Sequence, residues 1–493
     1  MALARLAPVN ADEEYRMLIG GDWVTPESGT YDIVDPNTTK VIGRAPEASA
    51  SQVGDAAAAA KAALPGWRSK TMAERCAILG RAADLLEERV EGLVGLVQAE
   101  TGATINVAEG MQLPPPIERL RCYATPVKAD EPVEPLALEA TALGPAGLLG
   151  AHVVRQPVGV VGCITPYNFP LTNAAGKIAP ALAMGNTVVI KPAPQDPLAM
   201  IKFCEIIEGA GFPPGVVNVV TGSGAAAGAA LVESRDVSMI SFTGSSAVGT
   251  KIAEAGAATM KRLLLELGGK GACVLTDDCD LDAAVGTIAS VWGFHSGQIC
   301  TAPTRVIVHR SRCEELVEKL NAVAGLLRVG DALDRDTIVG PVITEAHRDR
   351  VEEFIAGGVA EGATLQCGGE RPDRVGYFVA PTLLVDCTPE MSVVREEIFG
   401  PVVVVLAHDG DDHAVELAND SDYGLFSYVF AGSTARAFEI GKRIESGNVG
   451  LNSMVPHVHA PFGGFKMSGI GRDRGVYGLH AYSEIQTLSW VSS

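Results

Sequence analysis

The sequence predicts an α/β protein whose sheets are mainly parallel and covered by helices on both faces. Between Val158 and Leu267, five apolar segments alternate with stretches of helical pattern. The segments are Val158–Thr165, Thr187–Lys191, Val216–Thr221, Val237–Phe242 and Arg262–Leu267, and the helices begin near Thr172, Asp196, Ala225 and Ser246. Each segment is apolar almost throughout rather than at alternate positions, as in strands buried on both sides by helical crossovers. The alternation resumes near Ala272, with strands expected at Thr304–His309 and Val402–Leu406. At 493 residues the chain also exceeds what one hydrophobic core serves, so two or three domains are expected.

The other elements follow from local signals. Met1 to Asn10 has neither a charged lead into an apolar core nor a cleavage signal, so no leader is expected. Ala56–Ala63 reads as a short alanine-rich helix ending before Pro65-Gly66. Thr71-Met72-Ala73-Glu74 is a capping box, in which the threonine oxygen accepts an exposed backbone N–H and the glutamate reaches back. Leu79, Ala82, Leu86, Val90, Leu93 and Val97 then recur at helical spacing, and Gly102 marks the stop. The proline-broken stretch from Leu113 through Pro116 to Pro135 reads as a passage between units, and Leu136–Arg155 as a protruding hairpin. Tyr482 to Ser493 alternates like a strand, and its apolar Ile485, Leu488 and Trp490 call for pairing with another segment or another subunit.

Composition narrows the function. Hydrophobic residues make up 47% and charged residues 20%, as in a soluble globular protein. A net charge of -20 repels phosphate backbones and argues against a nucleic-acid partner. Every long apolar run is broken by Gly, Pro or charge, so no membrane span is expected. Ten cysteines without CxxC or Cys/His spacing read as reduced thiols in a cytoplasmic protein. His457-Val458-His459 has no third ligand near it in sequence and reads as solvated loop histidines, so no metal is expected.

Ligands of parallel sheets sit outside the carboxyl ends of the strands. Thr165–Asn168, Lys191, Gly222–Gly228 and Phe242–Gly249 all fall there. Gly222-Ser223-Gly224 with Gly228 misses the G-x-G-x-x-G spacing, so a plain strand-to-helix turn stays open beside a nucleotide turn. Phe242-Thr243-Gly244-Ser245-Ser246 also opens a helix, where backbone N–H groups and a serine hydroxyl suit a pyrophosphate. Two such turns on adjacent strands favour a dinucleotide. Asn168, between Pro166-Tyr167 and Phe169-Pro170, is either a turn residue or a rigidly held amide for a developing oxyanion. Finally, His295-Ser296-Gly297-Gln298-Ile299-Cys300 and Leu265-Glu266-Leu267-Gly268-Gly269-Lys270 hold a thiol and a carboxylate on glycine bends. Thiolate attack on a carbonyl carbon followed by base-assisted thioester hydrolysis needs those two groups.

Seven stretches in order give the chain a family resemblance: Pro166–Pro170, Val189–Pro192, Phe242–Ser245, Leu265–Lys270, Gly297–Cys300, Glu396–Pro401 and Pro461–Gly469. Over nearly its whole length the chain resembles the NAD(P)-dependent aldehyde dehydrogenase superfamily. The resemblance implies that Cys300 attacks the aldehyde and that the Asn168 amide and the Cys300 N–H hold the oxyanion. Hydride would pass to the nicotinamide, and Glu266 would activate the water that hydrolyses the thioacyl enzyme. The implied cofactor contacts are Thr165, Pro166, Tyr167, Lys191, Gly224, Gly228, Phe242, Gly244, Ser245, Val248, Leu267, Glu397 and Phe399. Phe169, Thr172, Trp292, His295, Ile299, Thr301 and Phe462, with the loop Met454–Phe462, would line the substrate mouth.

The implied fold has a Rossmann-like cofactor domain (1–135 and 156–267), a second α/β catalytic domain (268–474) and a small β oligomerisation bridge (136–155 and 475–493). The family forms dimers or tetramers, so a homodimer or homotetramer is expected. Pro194 stands where many NAD-preferring members carry an acid, although Asp196 is near in sequence; NAD is ranked first and NADP should be tolerated. The mouth is mostly apolar and lacks an arginine pair for a dicarboxylic semialdehyde, so the expected substrate is a hydrophobic or aromatic aldehyde. The alternatives are a coenzyme A-acylating dehydrogenase, a catalytically silent structural paralogue and an ester hydrolase. Retention of Cys300, Glu266 and Asn168 together argues against the silent protein, and Glu266 against acyl transfer to coenzyme A.

Overall fold

The computed structural model describes residues 9–125, 133–140, 148–454 and 457–492. Residues 1–8 of the expected N-terminal segment, 141–147 of the expected hairpin and 455–456 of the expected pocket loop lie outside the described residues. Two large α/β sheets, a small four-stranded β sheet and a two-stranded ribbon of Thr30–Val34 with Val41–Pro46 make up the architecture of the described residues.

The first sheet has eight strands in the spatial order Asp22–Val24, Met17–Ile19, Val217–Val219, Thr187–Lys191, Val160–Ile164, Met239–Thr243, Arg262–Glu266 and Gly469–Ile470. Its five central strands are parallel and match the five expected segments to within a few residues. The chain order reverses at Val160–Ile164, which has Thr187–Lys191 on one side and Met239–Thr243 on the other. That switch opens a crevice at the carboxyl ends, beside Thr165 and Gly244. The outermost strand was not anticipated: Gly469–Ile470 runs antiparallel to Arg262–Glu266 and pairs Gly469 with Glu266.

The second sheet has seven strands, in the order Thr364–Cys367, Thr382–Val385, Val402–His408, Arg305–His309, Ala272–Leu275, Phe426–Phe430 and Asn448–Leu451. Five residues, 267–271, carry the chain from the first sheet to the second. In the small sheet, Leu148–Pro157 pairs antiparallel with Ser483–Ser492 along its whole length and with Val133–Pro135. The terminal strand therefore finds its partner within the chain.

Two helices depart from the expectation. Ala50–Arg68 continues through Pro65 instead of ending before it, and its N-terminus carries a Ser49/Gln52 capping box. Pro65 sits in the last turn, so the single N–H bond it removes lies near the helix end and only three helical residues follow it. Pro114–Tyr123 is a helix where a passage was expected. Its prolines occupy the first turn, whose N–H groups have no intrahelical acceptor, so the missing donors cost nothing. The Thr71/Glu74 capping box and the left-handed Gly102 stop are both present.

One buried contact ties the helical layers together. Both oxygens of the fully buried Glu100 accept backbone N–H bonds from Leu198 (2.7 Å) and Ala199 (2.8 Å), at the start of helix Pro197–Glu208. Burial pushes its carboxyl up to about 8 against the pull of those two N–H groups. Glu100→Ala would leave two buried donors without acceptors, at about 1–3 kcal/mol for each group. The expected result is a clearly lower urea or thermal unfolding midpoint; an unchanged midpoint would show that the carboxyl does not cap this helix.

Candidate active site at the junction of the sheets

The thiol stands on a tightly constrained bend. After helix Leu281–Trp292, residues His295, Ser296 and Gly297 take φ values of 46°, 57° and 73° in succession. Left-handed backbone at non-glycine residues is unfavourable, so surrounding bonds must hold it. Ser296 Oγ donates to Gly340 O (2.8 Å), Gln298 Oε1 accepts from Ile343 N (3.0 Å), and Gln298 Nε2 donates to His295 O (3.1 Å). At Gly297 a Cβ would collide with the Gly400 carbonyl, so a side chain is barred at this closely packed position.

A second bend, Gly268-Gly269, meets the first. A Cβ on Gly269 would lie 2.6 Å from Cys300 O, and one on Gly268 would overlap the Glu397 carboxylate. Gly269 N donates to Glu397 Oε1 at 2.9 Å. The bend thus brings Glu397 and the Cys300 backbone against the end of the strand that carries Glu266. Burial raises the Glu397 carboxyl to about 7, opposed by the Gly269 N–H bond and then by Lys270. Lys270 is buried with its Nζ unpartnered, and burial followed by the charge of Arg305 lowers it to about 7.

Glu266 is buried with neither carboxyl oxygen hydrogen-bonded. Burial and then Asp473 push its carboxyl well above the usual range, while Lys177, Arg474 and Arg472 oppose the shift. Gly463 leaves room for it, since a Cβ there would stand 2.9 Å from Oε1. Cys300 keeps some exposure as a residue, but burial, then Glu397 and Glu266, push its thiol up to about 12, with Arg474 pulling the other way. Asn168 is tied to the same loop: its Nδ2 donates to Gln298 O at 2.9 Å and its Oδ1 accepts from Phe169 N at 3.1 Å. Gln112 Nε2 fixes the Asn168 carbonyl from below, at 2.7 Å.

The expected cofactor residues line the switch-point crevice and its rim. Thr165 N donates to Lys191 O (3.1 Å), and its buried Oγ1 has no partner. Pro166 and Tyr167 follow, half-buried, and the Tyr167 ring meets Phe399 edge-on at 6.0 Å. Phe399 has a φ of 60°, and its carbonyl is hydrogen-bonded to His347 Nε2 at 2.8 Å. Lys191 is buried at its strand end, and burial lowers it to about 8 despite Asp196 and Glu47. Nothing lies within 4 Å of where Gly224 and Gly228 would carry a Cβ, whereas the Phe242 ring closes the space at Gly244. Ser245 Oγ caps helix Ser246–Ala257 by accepting from Val248 N (3.4 Å), and Leu267 seats that helix at Gly249. Open glycines, an orphaned threonine hydroxyl and a capped helix N-terminus in one crevice fit a dinucleotide.

The substrate side is aromatic. Phe169 stacks on Phe294 (6.2 Å) and faces His295 (5.4 Å), while Phe462 packs on Phe426 (6.5 Å). Ile299 and Thr301 flank Cys300, and Tyr428 donates to Thr301 O at 2.9 Å. The half-buried Thr172 has an unpartnered hydroxyl. His295 is buried with both ring nitrogens unpartnered, and burial lowers it to about 4. Trp292 is buried, donates to Pro401 O (2.8 Å) and belongs to the same apolar cluster as Phe462, against which Cys300 packs.

Several further residues take on significance only in the fold. Asp196 is fully buried with both oxygens unpartnered, its carboxyl raised well above normal by burial and then by Glu100. Glu47, from the far N-terminal segment, accepts from Ser223 N at 2.8 Å in the glycine turn. Lys177 lies on a buried helix face and reaches Ser241 Oγ at 3.4 Å. Arg474, twelve residues beyond Phe462, stacks its guanidinium over the Phe462 ring at 4.2 Å. The Arg472-Asp473-Arg474-Gly475 run after the glycine-rich Pro461–Gly469 stretch was the available signal.

The Cys300 loop, the Glu266 carboxylate without hydrogen-bond partners and Glu397 meet at one glycine bend. Residues 23–488 match the model of the aldehyde dehydrogenase family, and the chain belongs to that family. It is 36% identical to a chloroplastic betaine aldehyde dehydrogenase of Beta vulgaris over 96% of both chains. It is 37% identical to a geranial dehydrogenase of Castellaniella defragrans, over 97% of this chain and 98% of that one. A betaine aldehyde dehydrogenase from Staphylococcus aureus, solved in complex with NAD+, superposes with a TM-score of 0.92 at 34% identity. That match covers 97% of this chain and 95% of the other. No helix among the described residues is long and apolar enough to cross a membrane.

The raised thiol makes a prediction for the cofactor-free protein. A group with a pKa of about 12 reacts through a thiolate that is scarce at neutral pH. Peptide-resolved alkylation of Cys300 should therefore quicken about tenfold per pH unit up to about pH 10, without a plateau. A plateau near neutrality would show a thiolate already activated in the free protein.

Proposed function

We propose that the chain oxidises an aldehyde with a hydrophobic or aromatic body to the carboxylic acid, using NAD(P)+ and Cys300 as nucleophile. The observation that carries this reading is the Gly268-Gly269 bend, where Cys300, Glu266 and Glu397 converge. The aromatic walls from Phe169, Phe294 and Phe462 support the apolar substrate body.

Cys300 Sγ bonds to the carbonyl carbon and gives up its proton as a thiohemiacetal forms. Asn168 Nδ2, turned from Gln298 O, and the Cys300 N–H stabilise the oxyanion. NAD(P)+, when bound, supplies the hydride acceptor. Thr165, Pro166, Tyr167, Lys191, Gly224, Gly228, Phe242, Gly244, Ser245, Val248 and Leu267 would hold its adenosine and pyrophosphate, and Glu397 with Phe399 its nicotinamide riboside. The acyl group then rests on Cys300 as a thioester. Glu266 takes a proton from water, whose oxygen attacks that carbon and expels the thiolate.

The cofactor domain would comprise 1–135 and 156–267, the catalytic domain 268–474, and the bridge 136–155 with 475–493. Exposed Ile485, Leu488 and Trp490 on the bridge support a homodimer or homotetramer. Ten cysteines without CxxC or Cys/His spacing fit a reducing, cytoplasmic setting. NAD is ranked first. NADP should be accepted too, because Pro194 offers no charge against a 2′-phosphate and Asp196 is buried.

The test is NAD(P)H formation from a panel of aldehydes by the wild type, Cys300→Ala and Glu266→Gln, with each cofactor. Cys300→Ala should be inactive; Glu266→Gln should give a burst followed by slow turnover. Retained dehydrogenase activity in Cys300→Ala would overturn the mechanism. A preference beyond about a hundredfold for either cofactor, worth near 2.7 kcal/mol, would defeat dual use.

A further inference from the structure

Arg474 is a half-buried cation stacked on Phe462, and Asp473 is the first carboxylate that acts on its charge. Phe462 and Asp473 form an antiparallel bridge, with N–H to O distances of 2.8 and 2.6 Å. Arg474 follows in left-handed backbone (φ 69°), its N–H donating to Asp473 Oδ1 at 2.7 Å. This turn sends the guanidinium back over the Phe462 ring at 4.2 Å. Phe462 belongs to the apolar cluster against which Cys300 and Met454 pack.

The neighbouring arginine behaves differently. Arg472 lies over Phe465 and donates to the Gly464 carbonyl at 3.1 Å. Arg474 Nε is buried without an acceptor, and no described carboxylate forms an ion pair with its guanidinium. Burial lowers its pKa to about 10, with the charge of Arg119 acting in the same direction. Cys300 and Glu266 feel Arg474 electrostatically, but both sit in surroundings that favour their protonated, uncharged forms. On the nearby helix Pro170–Met184, Gly176 adds no side chain; a Cβ there would meet only Asp473 Oδ2, at 3.8 Å.

A guanidinium whose buried Nε lacks an acceptor is costly, and a carboxylate that meets its fork of donors recovers that cost. We propose that Arg474 binds a carboxylate carried by the substrate, so that the preferred aldehydes join an apolar body to an acid group. The inference rests on the dehydrogenase reading above and gives its substrate a charge. It also separates this chain from relatives named for betaine aldehyde, whose quaternary ammonium would meet a like charge at Arg474.

The test compares kcat/KM within matched pairs: 4-carboxybenzaldehyde against methyl 4-formylbenzoate, and 4-oxobutanoate against its methyl ester, with betaine aldehyde as the cationic arm. Full-length wild type, Arg474→Met and Arg474→Lys are assayed, with Cys300→Ala as the blank. The wild type should favour the acid over the ester by about ten- to hundredfold in at least one pair, the size of a charge-assisted hydrogen bond. Arg474→Met should collapse that ratio towards one and improve betaine aldehyde relative to the esters; Arg474→Lys should keep part of the ratio. A structural role, or one confined to the thiol, would lower acid and ester together and leave the ratio intact, which would overturn the proposal. A wild-type ratio near one in both pairs would also overturn it, even if Arg474→Met does not fold. Cys300-dependent NAD(P)H from the esters with no acid preference would sink this inference and leave the dehydrogenase reading standing. No Cys300-dependent product from any aldehyde would sink both.

Discussion

The active-site arrangement depends on a contact that only glycine allows. Residues 267–271 carry the chain from one sheet to the other, and at Gly268 and Gly269 the backbone is pressed against the Glu397 carboxylate and the Cys300 carbonyl. A side chain at either position would force the two sheets apart. Because the bend directly follows Glu266, the same five residues set the base, the nucleophile loop and the Glu397 carboxylate relative to one another. The Gly269 N–H bond to Glu397 locks the arrangement with a single donor. Strain in the His295–Gly297 turn is carried by Ser296 and Gln298, which anchor it to residues 340–343.

Burial sets the electrostatics of this junction. Glu266, Glu397 and Cys300 are all shifted towards their neutral forms, and Lys270 towards its neutral amine. Each shift has desolvation as its largest cause; neighbouring charges come second for Glu266, Cys300 and Lys270, and the Gly269 N–H bond for Glu397. A site of this kind keeps acids protonated until a ligand or water alters their surroundings, which suits groups that must accept or release a proton at one stage of a reaction. Arg474 is the exception: it keeps its charge, supported first by Asp473, while its buried Nε has no acceptor.

The central sheet was legible because its signals are local. Short strands that are apolar almost throughout, the Thr71/Glu74 capping box and the Gly102 stop each declare themselves within a few residues. The two helices that were misjudged contain prolines, whose cost depends on position in the turn rather than on mere presence. The Gly469–Ile470 strand is only two residues long and pairs across a large sequence separation, so no periodicity announces it. Cys300, Glu266 and Asn168 stood out because reactive groups on glycine or proline bends are unusual. Trp292 is held by a hydrogen bond to Pro401, more than a hundred residues away, which no local signal announces. Arg474 was hidden for the same reason: its stacking on Phe462 depends on a bridge that sequence spacing does not reveal.

The central claim is that substrate carbon becomes bonded to Cys300 and is released by water that Glu266 activates. Its most direct test is to quench Glu266→Gln during turnover of an aldehyde with cofactor and map the protein by mass spectrometry. The account predicts an acyl adduct confined to the Cys300 peptide, equal in mass to the substrate acid less water, and absent from Cys300→Ala. An adduct on any of the other nine cysteines, or steady turnover with no adduct at all, would contradict it.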